Sequence, residues 1–266
     1  MPTDPTLEEQ WYKMLTEGEP IPRRLYHIHG LLPSDPRCKI CGSPFKGWGG
    51  FLMHLMGRDQ SRYNPRFCEK CKVFEHPGGA EVTLTMLFAD VRGSTTLAEG
   101  MSAREYSQLI NRFYKMATHV LIQTDALVDR LLGDEAIGLY LPGFAGPEHP
   151  RKAVEAAQEL LRLTGHQDSK GPWLPVGVGI HTGAAYVGVV GSEESTADFT
   201  ALGDNVNITA RLASQAGAGE VLISDAAYAA AGLDIQGLDH RQLELKGKSE
   251  PIGVHVLRVA QGEART

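Results

Sequence analysis

The amino-acid sequence predicts an α+β fold on the ferredoxin-like βαββαβ plan with extra strands, preceded by a small metal-binding module. All four cysteines of the 266-residue chain lie between residues 38 and 71, and this clustering indicates a separate module. From Val82 onward, short β-rich runs alternate with amphipathic helical runs in the order of that plan. We therefore expect an N-terminal segment over residues 1–76, a glycine- and proline-containing linker over 77–81 and a larger domain over 82–260.

The elements of the larger domain follow from the spacing of their apolar residues. Short apolar or β-branched runs predict buried strands, and an apolar residue every three or four positions predicts an amphipathic helix. Gly133 and Asp134 separate two such runs and predict a hairpin. In chain order we predict strand VTLTMLFA, helix SAREYSQLINRFYKMATHVLIQ, hairpin ALVDRLLGDEAIGLYLP, a helix over 147–164, strands VGVGIHTG and AAYVGVVG, helix GDNVNITARLASQA, and strands GEVLIS and GVHVLRV.

Composition and charge narrow the class of protein. The contents of 42% hydrophobic and 22% charged residues are ordinary for a soluble globular protein. The formal net charge of −6 argues against a general nucleic-acid binder. No apolar run reaches the roughly 18–20 residues that cross a bilayer, and the first residues lack the basic-then-apolar pattern of a secretory signal. We therefore expect a cytoplasmic protein with reduced thiols and no membrane partner.

The four cysteines form two C-x-x-C pairs, Cys38 with Cys41 and Cys68 with Cys71. Each pair can supply two sulfur ligands to one tetrahedral ion, and CKICG resembles a zinc knuckle. A structural Zn²⁺ is the leading interpretation of this zinc-ribbon-like module. Iron bound by four thiolates and an iron–sulfur cluster remain alternatives, whereas disulfides are not expected in a reducing compartment.

Two aspartates stand where neighbouring strands of the predicted sheet end. Asp90 follows the first strand and Asp134 lies at the hairpin tip, so the two carboxylates can converge. Oxygen ligands of this kind suit Mg²⁺ or Mn²⁺. Gly93, Ser94 and Thr95 then open a helix, whose free backbone N–H groups favour a phosphate. The alternative is that Asp90 caps a helix and Asp134 is an ordinary turn residue.

Five motifs together resemble the catalytic domain of the class III nucleotidyl (adenylate and guanylate) cyclases. The resemblance covers roughly residues 82–260, about two-thirds of the chain, and the motifs keep the family's order and spacing. They are FADVRGST, LLGDEAIGLY, VGVGIHTG, ALGDNVNITARL and ELKGKSEPI. The resemblance implies conversion of a nucleoside triphosphate to a 3′,5′-cyclic nucleotide and pyrophosphate.

The resemblance also assigns roles to individual residues. It implies two Mg²⁺ or Mn²⁺ ions held by Asp90, Asp134 and the backbone of Val91. Asn207 and Arg211 lie four residues apart, so they project from one helix face. In the family, the matching asparagine orients the ribose and the matching arginine stabilises charge on the α-phosphate, a role suited to a guanidinium group.

Further contacts and the assembly follow from the same resemblance. Lys246 matches a lysine that contacts the terminal phosphates, although Lys248 is close enough to be the alternative. In the family, the metal-binding and transition-state residues face each other across a dimer interface. We therefore expect a head-to-tail homodimer with two composite sites.

Departures from the family pattern affect the choice of base and the binding of phosphate. Arg130 and Thr200 occupy the base-reading positions that are commonly Lys and Asp in adenylate cyclases. An Arg donor and a Thr acceptor match the edge of adenine, so ATP is favoured, whereas guanine would prefer a carboxylate. A pyrimidine nucleotide or GTP remains the alternative substrate.

Many relatives carry an Arg at the position of Gly177, where it helps to hold phosphate, and Arg92 is a candidate replacement.

A second hypothesis remains open, in which the protein is a binding module and not an enzyme. The stretch between the cysteine pairs is locally basic and aromatic, as in zinc ribbons that bind nucleic acid. The chain could therefore be a nucleic-acid- or protein-binding module joined to a degenerate cyclase domain. The intact set of Asp90, Asp134, Asn207 and Arg211 argues against degeneracy, and a nucleic-acid partner is not expected.

Overall fold

The computed structural model describes residues 6–17, 29, 32, 37–38, 41–60, 68–71, 78–191, 198–235 and 237–258. The chain divides into two compact units. The first unit comprises residues 1–82, 141–146 and 184–203, and the second comprises residues 83–140, 147–183 and 204–266.

The described helices and strands follow one another in an alternating order. They are α1 (Leu7–Thr16), α2 (Gly47–Leu55), β1 (Gly78–Val91), α3 (Ser94–Glu99), α4 (Ala103–Gln123), β2 (Leu127–Leu132), β3 (Glu135–Tyr140), α5 (Pro142–Ala145), α6 (His149–Leu163), β4 (Val176–Val190), β5 (Asp198–Leu202), α7 (Asp204–Gln215), β6 (Glu220–Ser224), α8 (Asp225–Ala230), β7 (Asp239–Leu243) and β8 (Ile252–Arg258).

The described strands form one mixed sheet in the order β2-β3-β1-β4-β6-β8-β7, with β5 paired to β4. Antiparallel ladders join β1 to β3, β2 to β3, β4 to β5, β6 to β8 and β7 to β8. Strands β4 and β6 are parallel. Helices and a largely antiparallel sheet in this order confirm the predicted α+β class, including the extra strands beyond βαββαβ.

Strand β1 begins at Gly78, four residues before the predicted start at Val82. The residues predicted as a linker are therefore largely part of the strand. A Cβ atom on Gly79 would lie 2.4 Å from the carbonyl oxygen of Val187, and one on Gly188 would lie 2.2 Å from that of Gly78. These glycines permit a close backbone approach, whereas in the sequence Gly78 and Gly79 resemble a break.

Helix α4 is defined by its cap and by its apolar face. The Ser102 side chain accepts a hydrogen bond from the Glu105 backbone N–H, and the Glu105 carboxylate accepts one from the Ser102 N–H. This reciprocal pair satisfies two N–H groups at the helix start. The apolar face of α4, which includes Phe113 and Ala117, is buried, and the helix packs against β2, β3 and α6. The prediction of this helix is confirmed.

Two further differences concern strands. The two strands predicted over 176–191 form the single strand β4 (Val176–Val190), because Gly183 between them keeps an extended backbone. Strands β5 and β7 were not predicted. β7, with the sequence DHRQL, is mostly exposed at the edge of the sheet and has only one apolar residue, so it lacks the alternation that marks a half-buried strand.

Buried His149 makes the second unit sensitive to acid. Burial lowers the pKa of His149 from 6.5 to about 4, and its Nδ1 lies 3.0 Å from the Thr85 hydroxyl. Between these pH values His149 binds a proton in the unfolded chain but not in the folded chain. The free energy of unfolding therefore decreases as the pH falls. The shift corresponds to about 3 kcal/mol across that window.

We therefore expect His149→Gln to flatten the pH dependence of stability between pH 6.5 and about 4. Urea unfolding at several pH values measures this slope, independently of any change in absolute stability. His119→Gln, which alters an exposed histidine, is the control and should retain the wild-type slope. Equal slopes in all three proteins would contradict the assignment.

Candidate active site and cysteine cluster

The carboxylates predicted to bind metal lie at one end of the β1–β3 ladder. Asp90 on β1 pairs in register with Glu135 on β3, so their side chains share a face of the sheet. The backbone N–H of Val91 donates to the carbonyl of Asp134 at 3.1 Å, which holds the hairpin tip against the end of β1. The structure therefore brings Asp90 and Asp134 to the same edge, together with Glu135, a residue of the motif LLGDEAIGLY to which the sequence analysis assigns no role.

The electrostatics of this edge favour a bound cation. Burial is the main cause of a raised pKa at Asp90, and the charge of Asp134 adds to it, although Arg92 acts in the opposite direction. The pKa of Glu135 is raised by burial and then by Asp90 and Asp134. Half-buried carboxylates that repel one another gain most from a divalent ion with oxygen ligands, so these residues fit Mg²⁺ or Mn²⁺.

Arg92 supplies the positive charge nearest to Asp90. Its guanidinium group forms an ion pair with the Asp90 carboxylate, and Nη1 donates to the carbonyl of Ser214 at 2.6 Å. The Arg92 backbone N–H donates to the carbonyl of Pro175 at 2.8 Å. Arg92 thus joins the end of β1 to the C-terminal end of α7.

Two tyrosines of α4 lie beside the hairpin tip, and no motif predicted them. The Tyr114 hydroxyl donates to the carbonyl of Gly133 at 2.8 Å. Burial, followed by the negative charge of Asp134, raises the pKa of both Tyr106 and Tyr114. Their spacing of eight residues places them on one helix face, which is the signal in the sequence that could have identified them.

The residues predicted to meet the triphosphate open helix α3. Ser94 is its first residue and Thr95 its second, and Gly93 immediately precedes it. A Cβ atom on Gly93 would meet no other atom within 4 Å. The space over this turn is therefore open on the described chain, and a role in phosphate binding stays a prediction.

Helix α7 has a buried face and an unburied face, and the unburied face carries the predicted transition-state residues. Ile208 and Leu212 are buried in a core cluster with residues of β6 and β8. Asn207 is exposed and Arg211 is half-buried. A Cβ atom on Gly247 would lie 3.6 Å from Nη2 of Arg211, so the guanidinium group lies beside the loop that carries Lys246 and Lys248.

A buried histidine network fixes the start of α7. The Nε2 atom of His181 lies 2.9 Å from Oδ1 of Asn205, and its Nδ1 lies 2.8 Å from the Ser224 hydroxyl. Because Oδ1 only accepts, Nε2 donates and Nδ1 accepts from Ser224. Burial lowers the pKa of His181, which favours this neutral form. The network fixes the side chain of Asn205 in the first turn of α7, two residues before Asn207.

The two candidate phosphate lysines differ in their surroundings. Lys248 is an ion-pair partner of Asp204 at the start of α7. Lys246 is exposed. Lys246 therefore keeps its ammonium group accessible to a ligand, whereas Lys248 ties the loop to the helix.

The base-reading residues are less completely described. Arg130 pairs with Ile137 on β3 through its backbone, and its side chain lies outside the described residues. Thr200 is buried on β5, opposite Gly188 on β4, in the first unit. Their roles stay predictions.

Gly177 leaves no room for the arginine that many relatives carry there. A Cβ atom on Gly177 would lie 2.6 Å from the carbonyl oxygen of Ala216, just beyond α7. Any side chain at this position would push α7 away from β4. The guanidinium group of Arg92 donates to the Ser214 carbonyl near the same helix end, and its role as a replacement stays a prediction.

The four cysteines converge on one buried point in the first unit. Their sulfur atoms all lie within 4.8 Å of one another, and Cys41 Sγ lies 3.7 Å from Cys68 Sγ. Sulfurs around a tetrahedral zinc ion lie about 3.8 Å apart, because each is about 2.3 Å from the ion. All four are free thiols. The geometry fits one tetrahedral metal ion, and no disulfide joins the four cysteines.

Polar groups support the cluster from outside. The hydroxyl of Ser43 lies 3.0 Å from Cys41 Sγ, and Arg58 Nη1 donates to the same sulfur at 3.5 Å. The Nδ1 atom of His29 donates a hydrogen bond to the Cys41 carbonyl at 2.7 Å. His29 therefore lies beside the cluster as a supporting residue, and the four sulfurs match the number of ligands that a tetrahedral ion takes.

The helix between the two cysteine pairs presents an apolar face. In α2 and just after it, Trp48 is 84% exposed and Leu55 67%, and Phe51, Leu52 and Met56 are also exposed. Nucleic-acid binding depends on positive charge. The described face of α2 therefore does not favour the nucleic-acid hypothesis.

None of the described helices combines the length and apolar character needed to cross a bilayer.

Comparisons with known proteins identify the family. The model of the adenylate and guanylate cyclase catalytic domain matches residues 79–258. Adenylate cyclase 1 of Rhizobium meliloti (strain 1021) is 30% identical over 134 residues, which are 48% of this chain and 20% of that protein. An adenylate cyclase of Anabaena cylindrica is 26% identical over 187 residues, which are 66% of this chain and 36% of that protein. The chain spans well under half the length of either relative.

Solved structures agree with this match. The guanylyl cyclase Cya2 superposes with a TM-score of 0.62 at 27% identity, covering 71% of this chain and 98% of that one. The adenylyl cyclase CyaB from P. aeruginosa superposes with a TM-score of 0.58 at 26% identity, covering 67% of this chain and 95% of that one. The family match covers more than half of the sequence, and the chain therefore belongs to the class III adenylate and guanylate cyclase family.

Proposed function

We propose that the protein is an adenylate cyclase that converts ATP to 3′,5′-cyclic AMP and pyrophosphate at a homodimer interface. The observation that carries the proposal is the pair of side-chain sets in the second unit. Carboxylates gather at the ends of β1 and β3, and an Asn207–Arg211 pair lies on the unburied face of α7. A degenerate cyclase domain would be expected to have lost members of these sets.

In the proposed reaction, the ribose 3′-hydroxyl oxygen attacks the α-phosphorus. A bond forms between O3′ and phosphorus, the bond from phosphorus to the α,β-bridging oxygen breaks, and the hydroxyl proton passes to water. Two Mg²⁺ or Mn²⁺ ions, held by Asp90, Asp134 and the backbone of Val91, would activate the hydroxyl and neutralise the departing phosphates. No covalent intermediate with the protein is required.

The remaining residues orient the substrate and stabilise its charge. The guanidinium group of Arg211 donates two hydrogen bonds to the α-phosphate as charge builds up there. Asn207 orients the ribose, so that O3′ faces the phosphorus. Lys246 binds the terminal phosphates, and the N–H groups at the start of α3 (residues 93–95) contact the same chain of phosphates.

The proposal requires two copies of the chain. Among the described residues, the carboxylate of Asp90 is paired with Arg92, and Arg211 lies beside Gly247. No described hydrogen bond or ion pair joins Asp90 to Arg211 within one chain. A two-fold axis would let the carboxylates of one copy face the Asn–Arg pair of the other, and would create that site twice.

The preference for ATP rests on Arg130 and Thr200. We expect kcat/KM for ATP to exceed that for GTP and UTP by at least about tenfold, because guanine and uracil leave a donor and an acceptor unmatched. CTP is the closest competitor, because cytosine shows the same donor–acceptor order as adenine. The measurement is a competition among the four nucleotides with Mn²⁺, with Arg211→Ala as the inactive control. Preferred turnover of GTP or CTP would support the alternative substrates instead. No product from any of the four, combined with tight RNA or DNA binding, would support the binding-module hypothesis.

The cysteine cluster is proposed to hold one structural Zn²⁺. We expect purified protein that has been dialysed against a chelator to be colourless and to retain about one zinc per chain, and Cys68→Ser to lose the metal. Elemental analysis and visible absorption measure both. Ser43→Ala, which removes a neighbour of Cys41 but no ligand, should keep the zinc and is the matched control. Red or brown protein containing iron would contradict this proposal. Four thiols kept reduced also suit a cytoplasmic location.

A further inference from the structure

Three potential metal ligands outside the cyclase site meet on the β7–β8 face of the second unit. They are Asp225, the first residue of α8, His240 on β7 and His255 on β8. One ligand atom from each lies within 4.8 Å of the other two. Neither the cyclase residues nor the cysteine cluster includes any of them.

The distances between the ligand atoms of these three residues are close to those between the ligands of one bound metal ion. Oδ1 of Asp225 lies 2.9 Å from Nε2 of His240 and 3.3 Å from Nε2 of His255. Ligand atoms around a tetrahedral zinc ion lie about 3.4 Å apart, because each is about 2.0–2.1 Å from the metal. The three atoms therefore need only small shifts to bind one ion.

Regular secondary structure fixes the position of all three side chains. His240 and His255 are direct cross-strand partners in the β7–β8 ladder, so both rings stand on the same face of the sheet. The ring of Tyr228 stacks on His255 with centroids 3.7 Å apart. The Ser224 side chain accepts a hydrogen bond from the Ala227 N–H and so sets the start of α8.

Gly253 leaves space for the carboxylate of Asp225. A Cβ atom on Gly253 would lie 2.0 Å from Oδ2 of Asp225, so any larger residue would displace it. The side chain of Asp225 therefore rests against the β8 backbone, and its Oδ1 atom faces the two imidazole rings. The outer side of the cluster is open, because Asp225 and His240 are exposed.

We propose that Asp225, His240 and His255 form a surface binding site for one Zn²⁺-like transition-metal ion. Two imidazoles and one carboxylate suit Zn²⁺, Ni²⁺ or Cu²⁺, whereas Mg²⁺ prefers oxygen ligands alone. The open side leaves a position for water. The site joins α8 to both strands that flank the loop carrying Lys246 and Lys248.

The test is a zinc titration of the full-length protein. Dialysis against a chelator first strips weakly held ions, and calorimetry then measures the binding of added Zn²⁺ alone. We expect one saturable equivalent in the wild type. Its affinity should fall by more than about 10–100-fold in His240→Gln and in Asp225→Asn, because each removes a direct ligand rather than an outer-shell partner.

His54→Gln is the matched control, since His54 forms a pair with Asp59 at 2.5 Å that has no second histidine within reach in the described chain. This variant should bind the added equivalent as the wild type does. Millimolar Mg²⁺ should not displace the ion, which separates this site from the Asp90 carboxylates. Absence of saturable binding, equal affinity in all variants, or displacement by Mg²⁺ would each overturn the proposal. Circular dichroism in chelator confirms that the variants fold.

Discussion

Asp90→Asn should lower kcat by at least about 100-fold while leaving the fold intact. The substitution keeps the shape of the side chain but removes the charge that a divalent ion needs. Asp90 stands at the end of β1 with its carboxylate half-buried and opposite Glu135. Loss of the charge also breaks the ion pair between residue 90 and Arg92. The electrostatic potential at the substrate phosphates would therefore change. Asp134→Asn should have an effect of the same order.

Steady-state kinetics with ATP and Mn²⁺ measure the loss, and thermal unfolding establishes that the variants remain folded. Asp234→Asn removes an exposed carboxylate that lies outside the five motifs and should retain wild-type turnover. Metal binding offers a second observation, since Mn²⁺ detected by electron paramagnetic resonance should bind more weakly to Asp90→Asn. Near-wild-type turnover in either variant, Asp90→Asn or Asp134→Asn, would refute the assignment of these aspartates.

Mixing two inactive variants should restore activity. Asp90→Asn lacks a metal carboxylate and Arg211→Ala lacks the transition-state cation, so each homodimer has two defective sites. A heterodimer has one site with both defects and one site with none. Its activity should approach half that of the wild type. If the chains assort at random, the mixture should recover about a quarter of wild-type activity.

Exchange of subunits must be shown independently, for example by co-purification of differently tagged chains. A mixture of Asp90→Asn with Asp134→Asn is the matched control. Both substitutions damage the same half of the site, so their heterodimer has no intact site and should stay inactive. If exchange occurs and the first mixture remains inactive, each chain forms its site alone and the shared-site proposal is wrong.

The sequence predicted those features that depend on local pattern. Asp90 and Asp134 could be paired in advance because one ends a strand and the other lies at a hairpin tip, and the observed register brings both to one edge. Asn207 and Arg211 share a helix face because four residues make about one turn. The four cysteines were predicted from their spacing, and the structure gathers their sulfurs.

Other features depend on tertiary contacts that local pattern does not contain. Glu135 joins the carboxylates only because the ladder places it opposite Asp90. The His181 network links three elements that are distant in sequence. Gly79, predicted within a linker, is a strand residue because its missing side chain lets β1 approach Val187.

The most direct test of the central proposal is the fate of ATP itself. Phosphorus NMR of ATP incubated with the protein and Mg²⁺ follows every phosphorus nucleus through the reaction. We predict that 3′,5′-cyclic AMP and pyrophosphate appear in equal amounts, and that Arg211→Ala leaves ATP unchanged. Formation of ADP and inorganic phosphate, or an ATP spectrum that does not change with active-site residues intact and metal present, would contradict it.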